Sequence, residues 1–316
     1  MLSTVTGALE RFKEGGNWYG NWYWLVVPVS VFGTGKRYGV LDGIGATVIY
    51  LGVTDSTFHL IIHALAVLIA AGVALIAYFA RLLTVGGAMA ATLVGAATFV
   101  AGPSWIILLL LFFVTSNALS LWRARERDAL TALLLEKGAR RDAWQVLANG
   151  AVFAIAAALS SSGNDPLWQA IGIGAIATAM ADTWSTEVGT IAGGTPRFIM
   201  SGRAVPPGTS GGITLAGTSA GIIGALLAAV AAGMMDWETP LPVIVSAGIV
   251  GSLVDSLLGA TVQERRWCSV CDRLTERRIH TCGTPTTHRG GIRGWTNDLV
   301  NFTSTLAGAA VSWALT

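Results

Sequence analysis

Residues 57–80 read TFHLIIHALAVLIAAGVALIAYFA, an apolar run that contains no Lys, Arg, Asp or Glu. An α-helix needs about 20 mostly apolar residues to cross the hydrocarbon core of a bilayer, so this run predicts a membrane-spanning helix. Apolar runs of similar length follow along the chain, at 84–101, 104–122, 144–161, 167–188, 212–233, 240–262 and 295–315. The sequence therefore predicts an all-α, polytopic integral membrane protein.

The composition of the whole chain supports this fold class. Of its 316 residues, 53% are hydrophobic and only 12% are charged, whereas an ordinary soluble domain has roughly 25% charged residues. Such a chain cannot cover a water-facing surface with polar side chains. This excludes a soluble globular protein, a disordered chain and a small disulfide-rich module. The net charge of +2 is too small to indicate a nucleic-acid partner.

The N-terminal part contains two shorter apolar runs, 22–32 and 38–53, which Lys36 and Arg37 separate. Aromatic residues of the kind found at the headgroup level of a bilayer overlap the first run. We therefore expect residues 1–56 to form an N-terminal extension with one or two membrane segments. Residues 57–316 are expected to form a single membrane-embedded domain, so the expected total is nine or ten transmembrane helices.

Basic residues concentrate in three loops, 123–142, 189–211 and 264–294. The loops near 160–165 and 236–238 contain no Lys or Arg. The predicted spans put the three basic loops on one side of the membrane, and short cytoplasmic loops are enriched in Lys and Arg. We therefore expect the basic loops to lie in the cytoplasm and the protein to reside in the plasma membrane.

Two parts of the chain resemble each other. Residues 83–87 (LTVGG) open one span, and residues 213–217 (ITLAG) open another. Each set continues with a second span, a basic loop and a helix that starts with two amide side chains. The pattern predicts an internal repeat in which both copies have the same topology. The alternative is that Gly- and Ala-rich spans resemble each other by composition alone.

Polar side chains of the predicted spans concentrate near the cytoplasmic face. Such groups are costly in a bilayer and are usually functional. The acids are Asp182, Glu187 and Asp255, and the amides are Gln145, Asn149, Asn297 and Asn301. The loop Gly208-Thr209-Ser210-Gly211-Gly212 precedes a span on the same side. The sequence therefore predicts one site at this face of the membrane.

These residue types indicate a site that handles phosphate. Oxygen ligands are those that Mg²⁺ prefers, and we expect Asp182, Glu187 and Asp255 to bind this ion. A Gly-rich loop at a helix start offers N–H groups to an anion, and Arg197 and Arg203 are expected to clamp phosphate. On a regular helix the two acids at 182 and 187 point about 140° apart, so their shared site has to wrap around the helix unless the helix is distorted. A P-loop ATPase is excluded, because the chain has no Gly-x-x-x-x-Gly-Lys-[Ser/Thr] motif.

The three cysteines of the chain, Cys268, Cys271 and Cys282, all lie in the 264–294 loop, together with His280. The cytosol disfavours disulfides. Three thiolates and one imidazole suit tetrahedral zinc, which would be a structural ion that pins this loop. The alternative is a set of three reduced surface thiols.

Five motifs occur in order between about Leu83 and Ala314. They are Gln145-Val146-Leu147-Ala148-Asn149-Gly150, Ala181-Asp182-Thr183-Trp184 with Glu187, Pro207-Gly208-Thr209-Ser210-Gly211-Gly212, Asp255-Ser256-Leu257-Leu258-Gly259-Ala260-Thr261 with Gln263, and Asn297-Asp298 with Val300-Asn301. Together these motifs resemble those of the transmembrane protein 19 family of phytyl-phosphate kinase-like membrane proteins. Residues 1–56 fall outside the resemblance, and Ser185-Thr186 stands where the family usually has Ala-Ser.

The resemblance implies a CTP-dependent kinase that converts an isoprenoid monophosphate, such as phytyl phosphate, to the diphosphate. The expected partners are then an isoprenoid phosphate lipid, a nucleotide and the bilayer, with Mg²⁺ as cofactor. The expected catalytic residues are Asp182, Glu187, Asp255 and Asn149, and the expected phosphate-binding residues are the 208–212 loop, Arg197, Arg203, Gln145, Asn297 and Asn301. Two alternatives remain open. A cytidylyltransferase would transfer CMP to a lipid phosphate, and a carrier would move an anionic lipid or ion.

Overall fold

The computed structural model describes residues 23–28, 48–53, 55–122, 130, 140–161, 166–192 and 194–316. The chain divides into two compact units, residues 1–64 and 65–316. In the first unit, strands β1 (Tyr23–Pro28) and β2 (Val48–Val53) pair antiparallel, with Tyr23 opposite Val53.

The two expected membrane segments at 22–32 and 38–53 thus contain strands where the structure describes them. Both runs are shorter than the roughly 20 residues that a spanning helix needs. They are also rich in Val, Ile, Tyr and Trp, which favour strands. The expected total of nine or ten transmembrane helices is not confirmed, since the described residues contain eight long helices.

Every predicted span from residue 57 onward is a helix whose ends lie within about one turn of the prediction. The helices are α1 (Asp55–Phe79), α2 (Val85–Ala101), α3 (Pro103–Leu121), α4 (Ala143–Ser160), α5 (Pro166–Ala192), α6 (Leu215–Gly233), α7 (Leu241–Thr261) and α8 (Asn297–Leu315). Five of them, α1, α3, α4, α6 and α7, are long and apolar enough to cross a membrane, and α2 is apolar but shorter.

Helix α5 lies at the centre of the second unit, and its residues 172–181 are all buried. Its neighbours approach it through glycines. A Cβ added to Gly221 of α6 would lie 2.9 Å from the Ala181 oxygen, and one added to Gly248 of α7 would lie 3.1 Å from the Ala177 oxygen. Small residues let helix backbones pack closely in a membrane. This packing brings the ends of α5, α6 and α7 together.

The outward faces of the helices are apolar. On α1, the side chain of Leu68 is 67% exposed and that of Ile76 is 72% exposed. Lipid tails can cover such side chains at no cost, whereas water cannot. The second unit therefore has the surface of a protein that is embedded in a bilayer.

Two of the predicted loops contain small antiparallel sheets, so the fold is mostly rather than wholly helical. Strand β3 (Arg197–Phe198) pairs with β4 (Gly212–Ile213). The strands β5 (Arg265–Cys268), β6 (Arg273–Thr275) and β7 (Thr287–Gly290) form a sheet in the order β6-β5-β7. We call this second sheet the loop sheet.

The two segments of the predicted repeat share a helix cap. Thr84 accepts a hydrogen bond from Gly87 N at 3.1 Å at the start of α2. Thr214 accepts one from Gly217 N at 3.0 Å at the start of α6. A Thr cap is common at helix starts, so the internal repeat stays a prediction.

Candidate functional site

A cavity of about 430 Å³ lies at one end of the helices in the second unit. Its walls contain the C-terminal parts of α3, α5 and α7 and the first turns of α4, α6 and α8. Neighbouring helices that run antiparallel have opposite ends at the same level, so the C-terminal ends of three helices and the N-terminal ends of three others meet here. The predicted site residues that line the cavity are Asp182, Glu187, Asp255, Gln145, Asn149, Asn297, Asn301 and Gly208 to Gly212.

A polar cluster joins α5, α7 and α8 at the cavity wall. The carboxyl groups of Asp182 and Asp255 are in hydrogen-bond contact with each other, and Ser304 also contacts Asp255. Asn301 donates two hydrogen bonds in the amide orientation that satisfies both its oxygen and its nitrogen. Its Nδ2 donates to Asp255 Oδ2 at 2.9 Å and to the backbone oxygen of Asn297 at 3.2 Å. These side chains are therefore held by each other in one arrangement.

Glu187 faces a different wall of the cavity. Ser120 Oγ donates to Glu187 Oε1 at 2.5 Å, and Arg141 attracts the same carboxylate electrostatically. The Arg141 guanidinium also lies 5.6 Å from the centre of the Phe112 ring. Glu187 is thus held by α3 and by the residue before the cap of α4.

The three predicted magnesium ligands therefore divide into the Asp182–Asp255 pair and the separate Glu187. In the described part of the chain, the one group of three or more His, Cys, Asp or Glu side chains close enough to share a metal ion is the cysteine cluster. The reason lies in helix geometry, because five residues of a regular helix rotate a side chain by about 140° from the starting direction. The cavity wraps around α5 to include both acids.

The 208–212 loop contains two glycines with a left-handed backbone conformation. Gly208 has a φ of 82° and Gly211 a φ of 81°, which other residues rarely adopt. A Cβ on Gly211 would lie 2.5 Å from the Ala260 Cβ of α7. The N–H groups of Ser210 and Gly211 donate no hydrogen bond within the described residues.

The two arginines expected to clamp phosphate do not line this cavity. Arg197 donates from Nη1 to the Gly202 oxygen at 2.9 Å, and the Arg203 oxygen accepts from Phe198 N at 2.8 Å. Both side chains are exposed. The turn after β3 folds back on itself, so that Arg197 is paired with Ala204.

Three other arginines, Arg141, Arg266 and Arg278, line the cavity instead. Arg266 donates to Thr286 through Nε at 2.8 Å and through Nη2 at 2.8 Å. The sequence contained a weak signal for two of them, because Arg141 precedes the cap of the helix that carries Gln145 and Arg266 follows the motif that ends at residue 263.

The loop sheet is tied to the cavity through two acids. Glu276 Oε1 accepts from Ser210 Oγ at 2.8 Å and from Gln263 Nε2 at 2.7 Å, which joins the sheet to the 208–212 loop and to the end of α7. Glu264 accepts from Gly294 N at 2.8 Å. This hydrogen bond, with a further one from Arg266, lowers the pKa of Glu264 below its usual range.

The structure also brings the four predicted zinc ligands together. The ligand atoms of Cys268, Cys271, His280 and Cys282 all lie within 4.8 Å of one another. All four lie in or beside the loop sheet, outside the cavity lining.

A family of integral membrane proteins, DUF92, matches residues 68–309 of the chain. The chain belongs to this family. The DUF92 match contains every residue that lines the cavity, whereas β1 and β2 lie outside it. The resemblance to the transmembrane protein 19 family is confirmed by this match together with the relatives.

The relatives of this DUF92 protein include plant and archaeal proteins. Protein PGR of Arabidopsis thaliana is 31% identical over 80% of this chain and 94% of its own length. An uncharacterized membrane protein of Methanocaldococcus jannaschii is 34% identical over 52% of this chain and 67% of its own. The chloroplastic protein VTE6 of Arabidopsis thaliana is 29% identical over 58% of this chain and 57% of its own. No solved structure matches the chain.

Proposed function

We propose that this DUF92 protein is a CTP-dependent kinase that phosphorylates an isoprenoid monophosphate, such as phytyl phosphate, to the diphosphate. The motif series that resembles phytyl-phosphate kinases supports the substrate class, and so does the similarity to VTE6. The observation that carries the proposal is that the Asp182–Asp255 pair and the Gly208–Gly212 loop line one cavity.

Mg²⁺ fits the Asp182–Asp255 pair. Two carboxylates in contact repel each other when both are ionised, and a divalent cation compensates that repulsion. The cavity lining also contains the side-chain oxygens of Ser256 and Asn301, which could serve as further metal ligands. Mg²⁺ typically uses one or two carboxylates and fills its remaining positions with water and substrate phosphates. When bound, it supplies neutralisation of phosphate charge during transfer.

The arginines of the cavity supply positive charge for the phosphates of the nucleotide, and the 208–212 loop supplies backbone N–H groups. Arg141, Arg266 and Arg278 enter the cavity from different segments, and guanidinium groups bind phosphate oxygens in pairs of hydrogen bonds. The first turns of α4, α6 and α8 also meet the cavity, and helix N-termini attract anions. The cavity thus offers several donors to a triphosphate in addition to the 208–212 loop.

The isoprenoid monophosphate, which accepts the phosphoryl group, needs to be positioned rather than activated. A monophosphate oxygen is anionic near neutral pH, so no general base is required. This oxygen forms a bond to the γ-phosphorus of CTP while the bond from that phosphorus to the β-phosphate oxygen breaks, and CDP leaves. Asn149, whose Nδ2 donates to the Gln145 oxygen at 3.0 Å, and Asn297 are placed to orient the phosphates from the cavity wall.

The prenyl tail has an apolar way out of the cavity between α6 and α7. Ile222, Ile249 and Leu253 line the cavity. Ile222 is 37% exposed and Leu253 is 42% exposed. A tail on this path would leave the polar site and continue into lipid, which stabilises the bound substrate through its apolar area.

We further propose that the cavity faces the cytoplasm from the plasma membrane. The cavity lies at the end of the helices that carries the Arg-rich segments 140–141 and 265–293, and the positive-inside rule favours that end for the cytoplasm.

The test is a product analysis with the purified chain in detergent micelles, phytyl phosphate, Mg²⁺ and CTP labelled at the γ-phosphate. We expect labelled phytyl diphosphate and CDP. Asp182→Asn is expected to lower kcat by about 100-fold or more, because the ligand charge is lost. Asp236→Asn, which changes an exposed acid outside the cavity, is the matched control.

Other outcomes of this assay would replace the proposal. Pyrophosphate in place of CDP would identify a cytidylyltransferase. Nucleotide-independent uptake of the lipid phosphate into liposomes, with no diphosphate formed, would identify a carrier. The polar residues concentrate at one end of the helices, whereas a carrier needs polar groups near the midplane with access from both sides.

A further inference from the structure

The cysteine cluster has the dimensions of a closed metal site. Cys268 Sγ and Cys282 Sγ lie 3.6 Å apart, and His280 Nδ1 lies 3.3 Å from Cys282 Sγ. Tetrahedral zinc with Zn–S bonds of about 2.3 Å separates two thiolate sulfurs by roughly 3.8 Å. A disulfide needs about 2.05 Å, and all three cysteines are free thiols. The four ligands leave no open position, which is typical of structural rather than catalytic zinc.

The backbone around the ligands supports this geometry. Cys268 ends β5, and Asp272 directly after Cys271 has a φ of 53°, which turns the chain tightly into β6. A second tight turn follows β6, where Gly283 N donates to the His280 oxygen at 2.8 Å and His280 N donates to the Thr284 oxygen at 3.0 Å. Each turn therefore presents two ligands toward the same point.

The segment 265–290, which contains the loop sheet, lacks an apolar core that would otherwise hold it. Its described apolar side chains are largely exposed, with Val270 70% and Ile279 64% exposed. Its buried side chains are instead Cys268, Thr275, His280 and Thr286. Segments of this size that cannot bury enough apolar surface usually depend on a metal ion or disulfides.

We propose that Cys268, Cys271, His280 and Cys282 bind one zinc ion, and that this ion holds the loop sheet in the shape that presents Arg266 and Arg278 to the cavity. Both arginines stand two residues before a zinc ligand. The hydrogen bonds of Arg266 to Thr286, and of Thr286 N to the Arg278 oxygen at 2.9 Å, connect them across the sheet. The metal site stands without the proposed kinase activity, while its effect on nucleotide affinity rests on that activity.

The first experiment measures metal without substrate. We expect about one zinc per purified chain, and cobalt substitution should give the intense visible bands of a tetrahedral ion with thiolate charge-transfer bands in the near ultraviolet. His280→Asn and Cys271→Ser should lower the zinc content about tenfold or more. His288→Asn is the matched control, because His288 lies in β7 but outside the cluster. This variant should retain its full zinc content.

Two results would overturn the metal site. One is wild-type protein, purified without chelator, that contains no zinc and fails to take up cobalt. The other is full zinc content in both His280→Asn and Cys271→Ser. The wild-type cobalt spectrum needs no variant, so it decides the matter even where a variant fails to fold.

The second experiment tests the link to the cavity. In wild type depleted of zinc by a chelator, the KM for CTP should rise about tenfold, as expected for loss of positioned arginines, and return on addition of zinc. Asp182→Asn should instead keep its zinc and lose kcat. An unchanged KM in zinc-free protein would overturn the link while leaving the metal site intact, and absence of any kinase activity would contradict the proposed function alone.

Discussion

Asp182 of α5 and Asp255 of α7 contact each other through their carboxyl groups, and Asn301 of α8 donates to Asp255 from a third helix. Ionised acids inside a bilayer are costly, and the repulsion between two acids in contact is removed either by a shared proton or by a bound cation. A site that binds a divalent cation with an anionic substrate provides the second of these. The contact is therefore compatible with the metal-dependent site that we propose.

Asp255→Asn should remove activity while leaving the fold intact. The amide is almost the same size, but it cannot supply the negative charge that a cation needs, and kcat should fall by about 100-fold or more. Turnover and thermal unfolding of the purified variant measure the two effects. A variant with normal turnover would show that Asp255 does not carry the ion.

Arg141→Gln should weaken nucleotide binding. It removes a guanidinium from the cavity and leaves Glu187 without this attraction, so the KM for CTP should rise about tenfold. Arg140→Gln is the neighbouring control. Arg140 is exposed, lies outside the cavity lining and contacts Tyr78 instead. Equal effects of the two substitutions would indicate a general charge effect rather than a phosphate contact.

Gly211→Ala should destabilise the protein by about 2–4 kcal/mol, because the left-handed φ and the close approach to Ala260 both oppose a Cβ. Gly202→Ala separates the two causes. Gly202 has a φ of 67° but no atom within 4 Å of an added Cβ, so only the backbone strain of about 1 kcal/mol remains. Thermal unfolding compares them, and equal shifts would exclude the packing contribution.

Glu264→Gln should change how stability depends on pH. The folded-state pKa of Glu264 is lowered by the Gly294 N–H, so its charge stabilises the fold above the unfolded pKa of about 4.3. That contribution is lost as the pH falls through the folded-state pKa. The variant should unfold at lower temperature near neutral pH, with a difference from wild type that shrinks in acid. Glu238→Gln, at an exposed acid outside the cavity, should show neither effect.

Leu253→Trp should reduce activity on long-chain substrates. The larger ring would narrow the apolar side of the cavity along which the prenyl tail is proposed to leave. Activity on a short-chain prenyl phosphate should change less, since its tail reaches less far along this side. Leu257→Trp, one turn further along α7 and outside the cavity lining, is the control. Equal losses with short and long substrates would contradict this path for the tail.

The sequence predicted the second unit well because its spans depend on local hydrophobicity. The acids and amides could be assigned to one cavity because alternating spans fix which helix ends share a membrane face. The arginines could not, because the direction of Arg197 depends on the turn that follows β3, whereas Arg141 depends on the cap of α4. The runs at 22–32 and 38–53 were expected in the membrane because hydrophobicity alone does not separate a short strand from a short helix.

The position of the cysteines has a practical consequence for spectroscopy. All three thiols of the chain belong to one cluster. A cysteine-free background, the usual starting point for attaching spin labels or fluorophores, would remove three of the four proposed zinc ligands at once and with them the proposed support of the loop sheet. Probes for this protein are therefore better introduced through unnatural amino acids or amine chemistry, with the native thiols left in place.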